Sequence, residues 1–531
     1  MARKSPSESV FVLTLPLKCE SWQRDRLDTM FRVGNEIKNH LIAYEKRQYR
    51  CLTERKDWKL VQAALVEAYK AEDAAAKKLL LEKRNTLIAA AGFSLYQFEK
   101  QANKYRKHYI RVSRKGYWVN SNVSQKIAAS VWNAFESLLY GKGDKVKFSK
   151  WTEFTSMTAK SNNTGIVYRN GTVFINKMEL PVMLDTKDTY GYQQEALSRD
   201  IRYCGICRRW YSSGWKYFVQ LTLDGKSPQK VRPDTGELLH PLGAGRVGHD
   251  IGTQTIASVG KDSVLLMELA DSVLLMELAD KVKGIDAELR RINWAMDRSR
   301  RACNPVMFRE DGTVVPKSQL PSECLDKRGR RRWVCSKRYL RLEGLRRELY
   351  RRQRELRLQQ HNELTNKLMG YGDQHFIEEM RFRGLAKRAK ETKKNDKGKF
   401  MRKKRFGKSI SNKAPASFVN ILEHKVISAG GTFHKVNTFT VKASQLNHIT
   451  ETYTKKNLNK RWNTMPDGTK VQRDLYSAFL IMNVDDSLGK VDIHRCNETY
   501  EQFLKLHNEE VKRIEATTGI TPSSMGIKHI A

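Results

Sequence analysis

A carboxylate stands in the middle of a run that otherwise reads as a buried strand. Arg246 to Gly260 has the sequence RVGHDIGTQTIASVG, in which Val247 and Ile251 flank Asp250, Gly252 follows, and Thr255 to Val259 is β-prone again. The pattern predicts a strand, a tight turn and a second strand pairing back on the first. An ionised Asp inside such a strand is costly to bury unless a metal ion or a Lys/Arg side chain meets it. The fold must therefore bring cations, or further metal ligands, to this one point.

The chain has cations in excess. Its 531 residues include 98 Lys+Arg against 58 Asp+Glu, a formal net charge of +40. With 40% hydrophobic and 29% charged residues, the composition is that of a folded protein, long enough for about two to four domains. Such an excess repels itself unless a polyanion is bound, and nucleic acid is the obvious one. A membrane-surface role is disfavoured, because no amphipathic segment sets a clean apolar face against a basic rim. No run of about 18 apolar residues exists, which predicts no membrane span. The start, MARKSPSESVFVLTLPL, lacks a long apolar region with a small-residue cleavage site, so no signal peptide is expected. Scattered cysteines (Cys19, Cys51, Cys204, Cys207, Cys303, Cys324, Cys335 and Cys496) suit a reducing cytoplasm rather than a disulfide scaffold.

Ser9 to Leu17 alternates like a strand. Ser21 as cap, with Asp25 in the first turn, predicts a helix through Leu27, Phe31, Val33 and Ile37, and the pattern stays helical to about Tyr140. Tyr96 to Trp118 mixes aromatic and basic residues, which fits a phosphate-tracking face as well as a solvated helix with core aromatics. From Gly141 the texture becomes β-like, with a strong hairpin signal at Asn170-Gly171. This predicts an antiparallel β-barrel or sandwich over residues 144–243, joined by the strand at 9–17. Cys204-x-x-Cys207 resembles half of a zinc site, but no second pair follows and both lie in a strand pattern, so ordinary strand packing is expected.

Asp262 to Ala270, DSVLLMELA, is repeated without change as Asp271 to Ala279. An odd shift turns the second copy to the opposite face of a strand, and in a helix it falls about half a turn out of phase. One copy is expected to form the third strand of a sheet and the other to lengthen the link to the next helix. Residues 281–370 read as basic and helical, with Leu342, Leu345, Leu349 and Leu356 as a narrow apolar stripe. Tyr371 to Met380 is a short strand with carboxylates at its end, followed by a basic loop, 386–408. Ala416 to Ala429 reads as a helix ended by Gly430-Gly431, and Thr432 to Val436 as a strand. Arg473 to Asn483 is an amphipathic helix with Asp474 in its first turn, and a further helix runs to about Ala516.

A strand Asp (Asp250), a strand-end Glu (Glu378) and a helix-start Asp (Asp474) thus stand far apart in sequence. Brought together, they would repel one another and stay ionised only with cations among them. Hard Mg²⁺ or Mn²⁺ is the natural choice. Two such ions about 3.5–4 Å apart activate a water and stabilise the leaving oxygen of a phosphodiester. Spacing alone leaves the convergence open.

VGHDIGTQTIAS, HFIEEMRFRGL and DGTKVQRDLYSAFLIMN resemble the three split RuvC motifs of TnpB-like transposon nucleases and type V CRISPR effectors. In that family the motifs take the forms D-x-G, a strand-end Glu before an acidic or polar residue and Leu, and R-D-x-N-A-A. WKYFVQLTLDG resembles the last barrel strand before the nuclease. MDRSRRACNP and KKRFGKSISNKAPASFVNILEHKVISAGG resemble inter-motif segments, and the likeness covers about residues 9 to 510.

The resemblance implies an α/β and α+β multidomain protein with a helical recognition domain, an antiparallel β-barrel (wedge) domain and a split RuvC/RNase H-like nuclease domain. The expected boundaries are 1–20 for the first barrel strand, 21–143 helical, 144–243 barrel and 244–285 RuvC part I. They continue with 286–370 as a basic helical hairpin, 371–436 as RuvC part II, 437–472 as a target-nucleic-acid-binding insertion, 473–488 as RuvC part III and 489–531 as helix and tail. Asp250, Glu378 and Asp474 match the metal-binding catalytic triad, with Glu379 the alternative register for the glutamate. The implied activity is RNA-guided DNA cleavage with two Mg²⁺, or Mn²⁺, in one site. The N-terminal domains would read a short flanking motif while guide pairing reads the target.

The implied partners are a guide RNA, transposon-derived or CRISPR, with or without a second RNA, and double-stranded target DNA. The implied location is a prokaryotic cytoplasm, at the nucleoid when bound to DNA. Lys403, Lys404, Arg405, Lys408, Arg461, Arg473, Arg346 and Arg347 are the candidate nucleic-acid contacts. The sequence also departs from the family. The stretch VKASQLNHITETYTKKNLNKRWNTMPDGTKVQRD has no cysteine where a CxxC…CxxC zinc ribbon is usual, and His448 alone reads as a packing or surface residue. No structural zinc is expected, and packing must hold that subdomain. Tyr476-Ser477-Ala478 stands where Asn-Ala-Ala is usual. An RNA-guided repressor without cleavage and a DNA strand-transfer transposase are the competing readings; the intact triad favours a cutting enzyme.

Overall fold

The computed structural model describes residues 9–112, 118–253, 255–260, 273–277, 282–326, 329–388, 391, 406–457, 460–516 and 525–527. The chain divides into two compact units, Met1–Pro228 and Gln229–Ala531.

In the first unit, β1 (Val10–Pro16) turns Phe11, Leu13 and Leu15 inward by strict alternation. Five helices follow: α1 (Ser21–Glu54), α2 (Lys56–Lys70), α3 (Ala74–Ala90), α4 (Leu95–Val112) and α5 (Ser121–Leu139). Glu20, not Ser21, caps α1: its N–H donates to Gln23 Oε1 at 2.8 Å, half of a capping box. Next come β2 (Ser156–Thr158), β3 (Ile166–Arg169), β4 (Thr172–Ile175), β5 (Met178–Pro181), the short α6 (Tyr192–Leu197), β6 (Ile201–Tyr211) and β7 (Gly214–Asp224). Asn170 and Gly171 both take positive φ (45° and 74°), as the two-residue hairpin between β3 and β4 requires.

The expected barrel is not closed. The strands form a four-stranded antiparallel sheet, β1-β7-β6-β2, and a separate three-stranded meander, β3-β4-β5, which meet at the isolated bridge of Leu17 with Val182 and where β3 packs on β6. Closure needs a continuous staggered ladder, which strands as short as β2 to β5 do not provide. Between sheet and helices lies Arg208 on β6, 2% exposed. Its guanidinium donates to Asp28 Oδ1 (2.7 Å) and to the carbonyls of Trp151 and Phe154, against the rings of Phe31, Trp151 and Trp215. Cys204 and Cys207, three apart on β6, point to opposite faces and so cannot share an ion. Cys204 Sγ donates to Ile166 O, and burial pushes its thiol up to about 12.

The second unit is built on β8 (Arg246–Ile251), β9 (Thr255–Gly260) and β10 (Val273–Glu277). These are followed by α7 (Val282–Cys303), α8 (Lys337–Met369), β11 (Gln374–Glu378), α9 (Phe382–Leu385), α10 (Gly407–Lys413), α11 (Pro415–Ser428) and β12 (Thr432–Val436). Then come α12 (Thr438–Val441), the two-stranded ribbons β13 (Leu446–Asn447) with β14 (Thr452–Tyr453) and β15 (Trp462–Thr464) with β16 (Lys470–Gln472), α13 (Arg473–Met482) and α14 (Ile493–Ala516). The sheet order is β10-β9-β8-β11-β12. The first three strands are antiparallel, and β11 runs parallel to both β8 and β12.

Alternation sorts the sheet's side chains. Ala257, Val259, Phe376 and Val436 pack with α13 and α14 on one face. Val247, Ile251, Ile256 and Ile377 pack with the end of α8 and with α11 on the other. The α7–α8 hairpin has its own seam of Leu289, Ile292, Met296 and Leu349. Leu345, expected on that stripe, is 41% exposed instead. Among the described residues no helix is long and apolar enough to cross a membrane.

The edge strand β10 comes from the second DSVLLMELA copy, with Val273 opposite Val259 and Glu277 opposite Thr255; the first copy, 262–270, lies outside the described residues. Deleting 262–270 leaves Lys261, Asp271 and Ser272 to connect β9 and β10, a common hairpin length. The shorter loop should add about 1 kcal/mol. The deletion is therefore expected to melt cooperatively at or slightly above the wild-type temperature by circular dichroism. A lost or broadened transition would show that the first copy has a packing role of its own.

Candidate active site

The three carboxylates are placed by one strand pairing and one helix. In the parallel pairing of β8 with β11, Gln374 is opposite Arg246 and Ile377 opposite His249, so Glu378 falls beside Asp250 on the same face. Glu379 follows with its side chain turned the other way, its N–H bonded to Val436 O at 3.0 Å. Of the two, Glu378 is the one that the register sets on the face of Asp250.

Helix α13 lies along β8 in the opposite sense. At the start of β8, Arg246 donates to Met482 O (2.9 Å) and Val484 O (2.5 Å), capping the C-terminal end of α13, while its guanidinium stacks 4.0 Å over Phe376. Gly248 sits directly under the helix; a Cβ there would be 2.1 Å from Ala478 O and 2.4 Å from Met482 N. Asp250, two residues on and on the same face, comes under the N-terminal end of α13, where Asp474 and Ser477 are. That end is fixed by Gln472. Its Oε1 accepts from Leu475 N–H (2.8 Å), its N–H donates to His507 Nε2 (2.9 Å) and its Nε2 donates to Met525 O (3.1 Å).

The electrostatics follow from this crowding. Burial first, and then the charges of Asp474 and Glu378, hold the Asp250 carboxyl well above the usual carboxylate range; the Arg473 guanidinium pulls the other way. Burial also raises Glu378. Ser477 Oγ lies close enough to favour ionised Asp250, but its geometry falls short of a hydrogen bond. Asp474 instead faces two arginines: Oδ1 is 3.2 Å from Arg473 Nη2 and Oδ2 is 3.9 Å from Arg461 Nη1. Among the described residues no three His, Cys, Asp or Glu side chains close around a common point as they stand. The donor set still fits a hard divalent cation. It offers carboxylate oxygens alone, and desolvation beside two further carboxylates, only partly offset by Arg473, drives Asp250 toward its protonated form.

On the opposite face of the sheet a polar chain ties three strands together. His375 Nε2 lies 3.0 Å from Gly372 O, an acceptor only, so it carries the proton. His375 Nδ1 then accepts from His249 Nε2 (2.9 Å), and His249 Nδ1 accepts from Ser258 Oγ (2.8 Å). Burial pushes both imidazoles down, His375 to about 4, so both stay neutral. The sequence reading missed His249, His375, Arg246 and Gly248. The one available signal was their position, alternating with Asp250 along β8 or facing it from β11.

Of the candidate nucleic-acid residues, Arg461 and Arg473 are brought to Asp474. Arg346 and Arg347 are half-buried on α8; both pair with Glu343, and Arg346 also donates to Asn293 on α7. Lys408 Nζ is 3.9 Å from Asp286. Lys403, Lys404 and Arg405 lie outside the described residues. The insertion without cysteines is pinned by His448. Its backbone N–H donates to Tyr476 OH (3.0 Å), its Nδ1 lies 2.6 Å from the same oxygen, and its ring packs on Tyr500 and Phe479. Tyr476 is the residue that stands in place of the usual Asn.

No protein-family model matches the chain, and no curated protein does. Solved structures do. A Cas12f1–sgRNA–target DNA complex aligns over 90% of this chain and 99% of that one, at 10% identity and a TM-score of 0.41. A CRISPR-Cas12f ternary complex aligns over 89% and 99%, at 13% identity and 0.23. The mini-RNA-guided endonuclease CRISPR-Cas_phi3 aligns over 65% and 60%, at 12% identity and 0.26.

Proposed function

We propose that this chain is an RNA-guided DNA endonuclease that cuts target DNA in a single RuvC-like site. The observation that carries the reading is the placement of Asp250, Glu378 and Asp474, from three distant segments, at one end of one sheet face. A sheet of three antiparallel strands extended by two parallel ones supports the RNase H-like fold that the sequence resemblance implies. Asp250, Glu378 and Asp474 would hold Mg²⁺ or Mn²⁺, which when bound supplies an activated water and charge stabilisation at the leaving oxygen. The chain's own part is to orient the carboxylates through β8, β11 and α13, and to hold a phosphate near Arg461 and Arg473. The excess of positive charge suits a guide RNA and a DNA duplex, with the N-terminal helices and sheets as the surface that reads the flanking motif.

The test is to purify the protein from cells carrying its native locus, sequence the RNA that comes with it, and assay plasmid cleavage in Mg²⁺. Cleavage should require the RNA and a matching target. Glu378→Gln should cost at least about a thousandfold in rate and Glu379→Gln no more than about threefold. Binding of the matched plasmid without cutting would favour the repressor reading, and cutting that ignores the RNA would sink the proposal.

A further inference from the structure

We infer that Arg461 is a displaceable counter-cation of Asp474: it neutralises that carboxylate in the metal-free protein and leaves it when a divalent cation binds. The inference rests on the reading of Asp250, Glu378 and Asp474 as a metal centre, and adds to it how the metal-free state is held.

The two arginines on Asp474 differ in how they are fastened. Arg473 is the first residue of α13. Its backbone N–H donates to Arg461 O (2.9 Å), its Nη1 donates to Lys460 O (3.3 Å), and its Nε and Nη2 lie 3.3 and 3.2 Å from Asp474 Oδ1. It is 12% exposed and has little room to move. Arg461 reaches the other oxygen, Oδ2, at 3.9 Å, an ion pair too long for a hydrogen bond, and its side chain is 26% exposed. The stem of Arg461 is fixed while its head is loose: a Cβ at Gly526 would lie 2.3 Å from Arg461 Cβ, so the 525–527 segment clamps the start of the side chain. A clamped stem with a weakly bound guanidinium lets the head swing away while the backbone stays put.

Asp474 also explains why three neighbouring carboxylates do not close on a common point. Its oxygens are divided between two guanidinium groups. A metal ion and Arg461 are then rival ligands for Oδ2, so removing one must raise the affinity for the other by the coupling between them. Once released, the guanidinium is suited to a phosphate oxygen beside the metal centre.

The test uses the full-length, metal-free protein without nucleic acid, and measures Mn²⁺ binding by electron paramagnetic resonance of the free ion. Arg461→Met keeps the packed stem and removes the charge; it should tighten Mn²⁺ binding about fivefold, the lower end of such couplings. Arg461→Lys keeps the charge on a similar stem and should bind Mn²⁺ close to the wild-type affinity. With DNA present, Arg461→Met should raise KM for target even as it needs less Mn²⁺. Unchanged or weaker Mn²⁺ binding in Arg461→Met, with wild-type binding that is lost in Asp250→Asn, would overturn the counter-cation role and leave the metal centre standing. Wild-type Mn²⁺ binding that does not depend on Asp250 would overturn both.

Discussion

Replacing Asp250 by Asn is expected to abolish cleavage and, in the metal-free protein at neutral pH, to raise the melting temperature. The two effects have one cause. Asp250 is half-buried beside Glu378 and under Asp474, and desolvation together with those two charges holds its carboxyl well above its ordinary range. Between the ordinary range and the raised value, the folded state keeps a proton that the unfolded state has lost. Stability is therefore full at low pH and falls as pH rises through that window. Asn carries no charge and so removes this slope, while it also removes the anionic oxygen a metal needs. The loss of rate should be at least about a thousandfold, with RNA-dependent target binding retained. Melting in EDTA over about pH 4 to 8 should show a falling wild-type curve and a flatter variant curve. Added Mg²⁺ should stabilise the wild type, since a ligand of the folded state alone does so by mass action, and leave the variant unmoved. If the Asn protein melts lower than the wild type in EDTA at neutral pH, Asp250 is a paired carboxylate and the crowding is wrong.

Asp250 was legible in the sequence because a carboxylate in an apolar strand contradicts its surroundings. Glu378 was legible only as one of two neighbours. Sequence gives no access to the register of β11 on β8, and a parallel pairing from segments more than a hundred residues apart is set by tertiary packing. The barrel was overcalled for a related reason. Short β-prone runs with turns between them reveal strands but not whether the ladder closes, and here β1 and β7 complete one sheet while β3 to β5 form another. Leu345 matched a heptad spacing, yet the seam of α8 against α7 runs through Leu349 and misses it. The duplicated DSVLLMELA had no sequence criterion to separate its copies, because identical segments have identical propensities. The lack of zinc cysteines was plain, but that Tyr476 would supply the hydroxyl for His448 was not. It joins two departures noted separately, one in the insertion and one in the third motif.

The largest effect on folding is expected at Gly248. The backbone of α13 passes so near β8 that an added Cβ would be 2.1 Å from Ala478 O, 2.4 Å from Met482 N and 2.9 Å from Met482 Cα. These are main-chain atoms, so no side chain can swing aside to relieve the overlap. The helix must lift, and it carries Leu475, Ala478, Phe479 and Leu480, all fully buried against the sheet and α14. Overpacking of side chains costs about 1–3 kcal/mol; a clash with backbone on a helix this central should exceed about 3 kcal/mol. Gly248→Ala is therefore expected to lower the melting temperature of the second unit by several degrees and Gly248→Val to prevent its folding, read by circular dichroism and limited proteolysis. Gly384→Ala, where a Cβ meets nothing within 4 Å, serves as the control and should melt with the wild type. The same contact sets the chemistry, because the helix that rests on Gly248 is the one that brings Asp474 over Asp250. A lifted helix should thus lose Asp250-dependent Mn²⁺ binding in whatever fraction of Gly248→Ala remains folded. A Gly248→Ala protein that melts with the wild type would mean that α13 does not lie on β8, and would take with it the placement of Asp474 in the site.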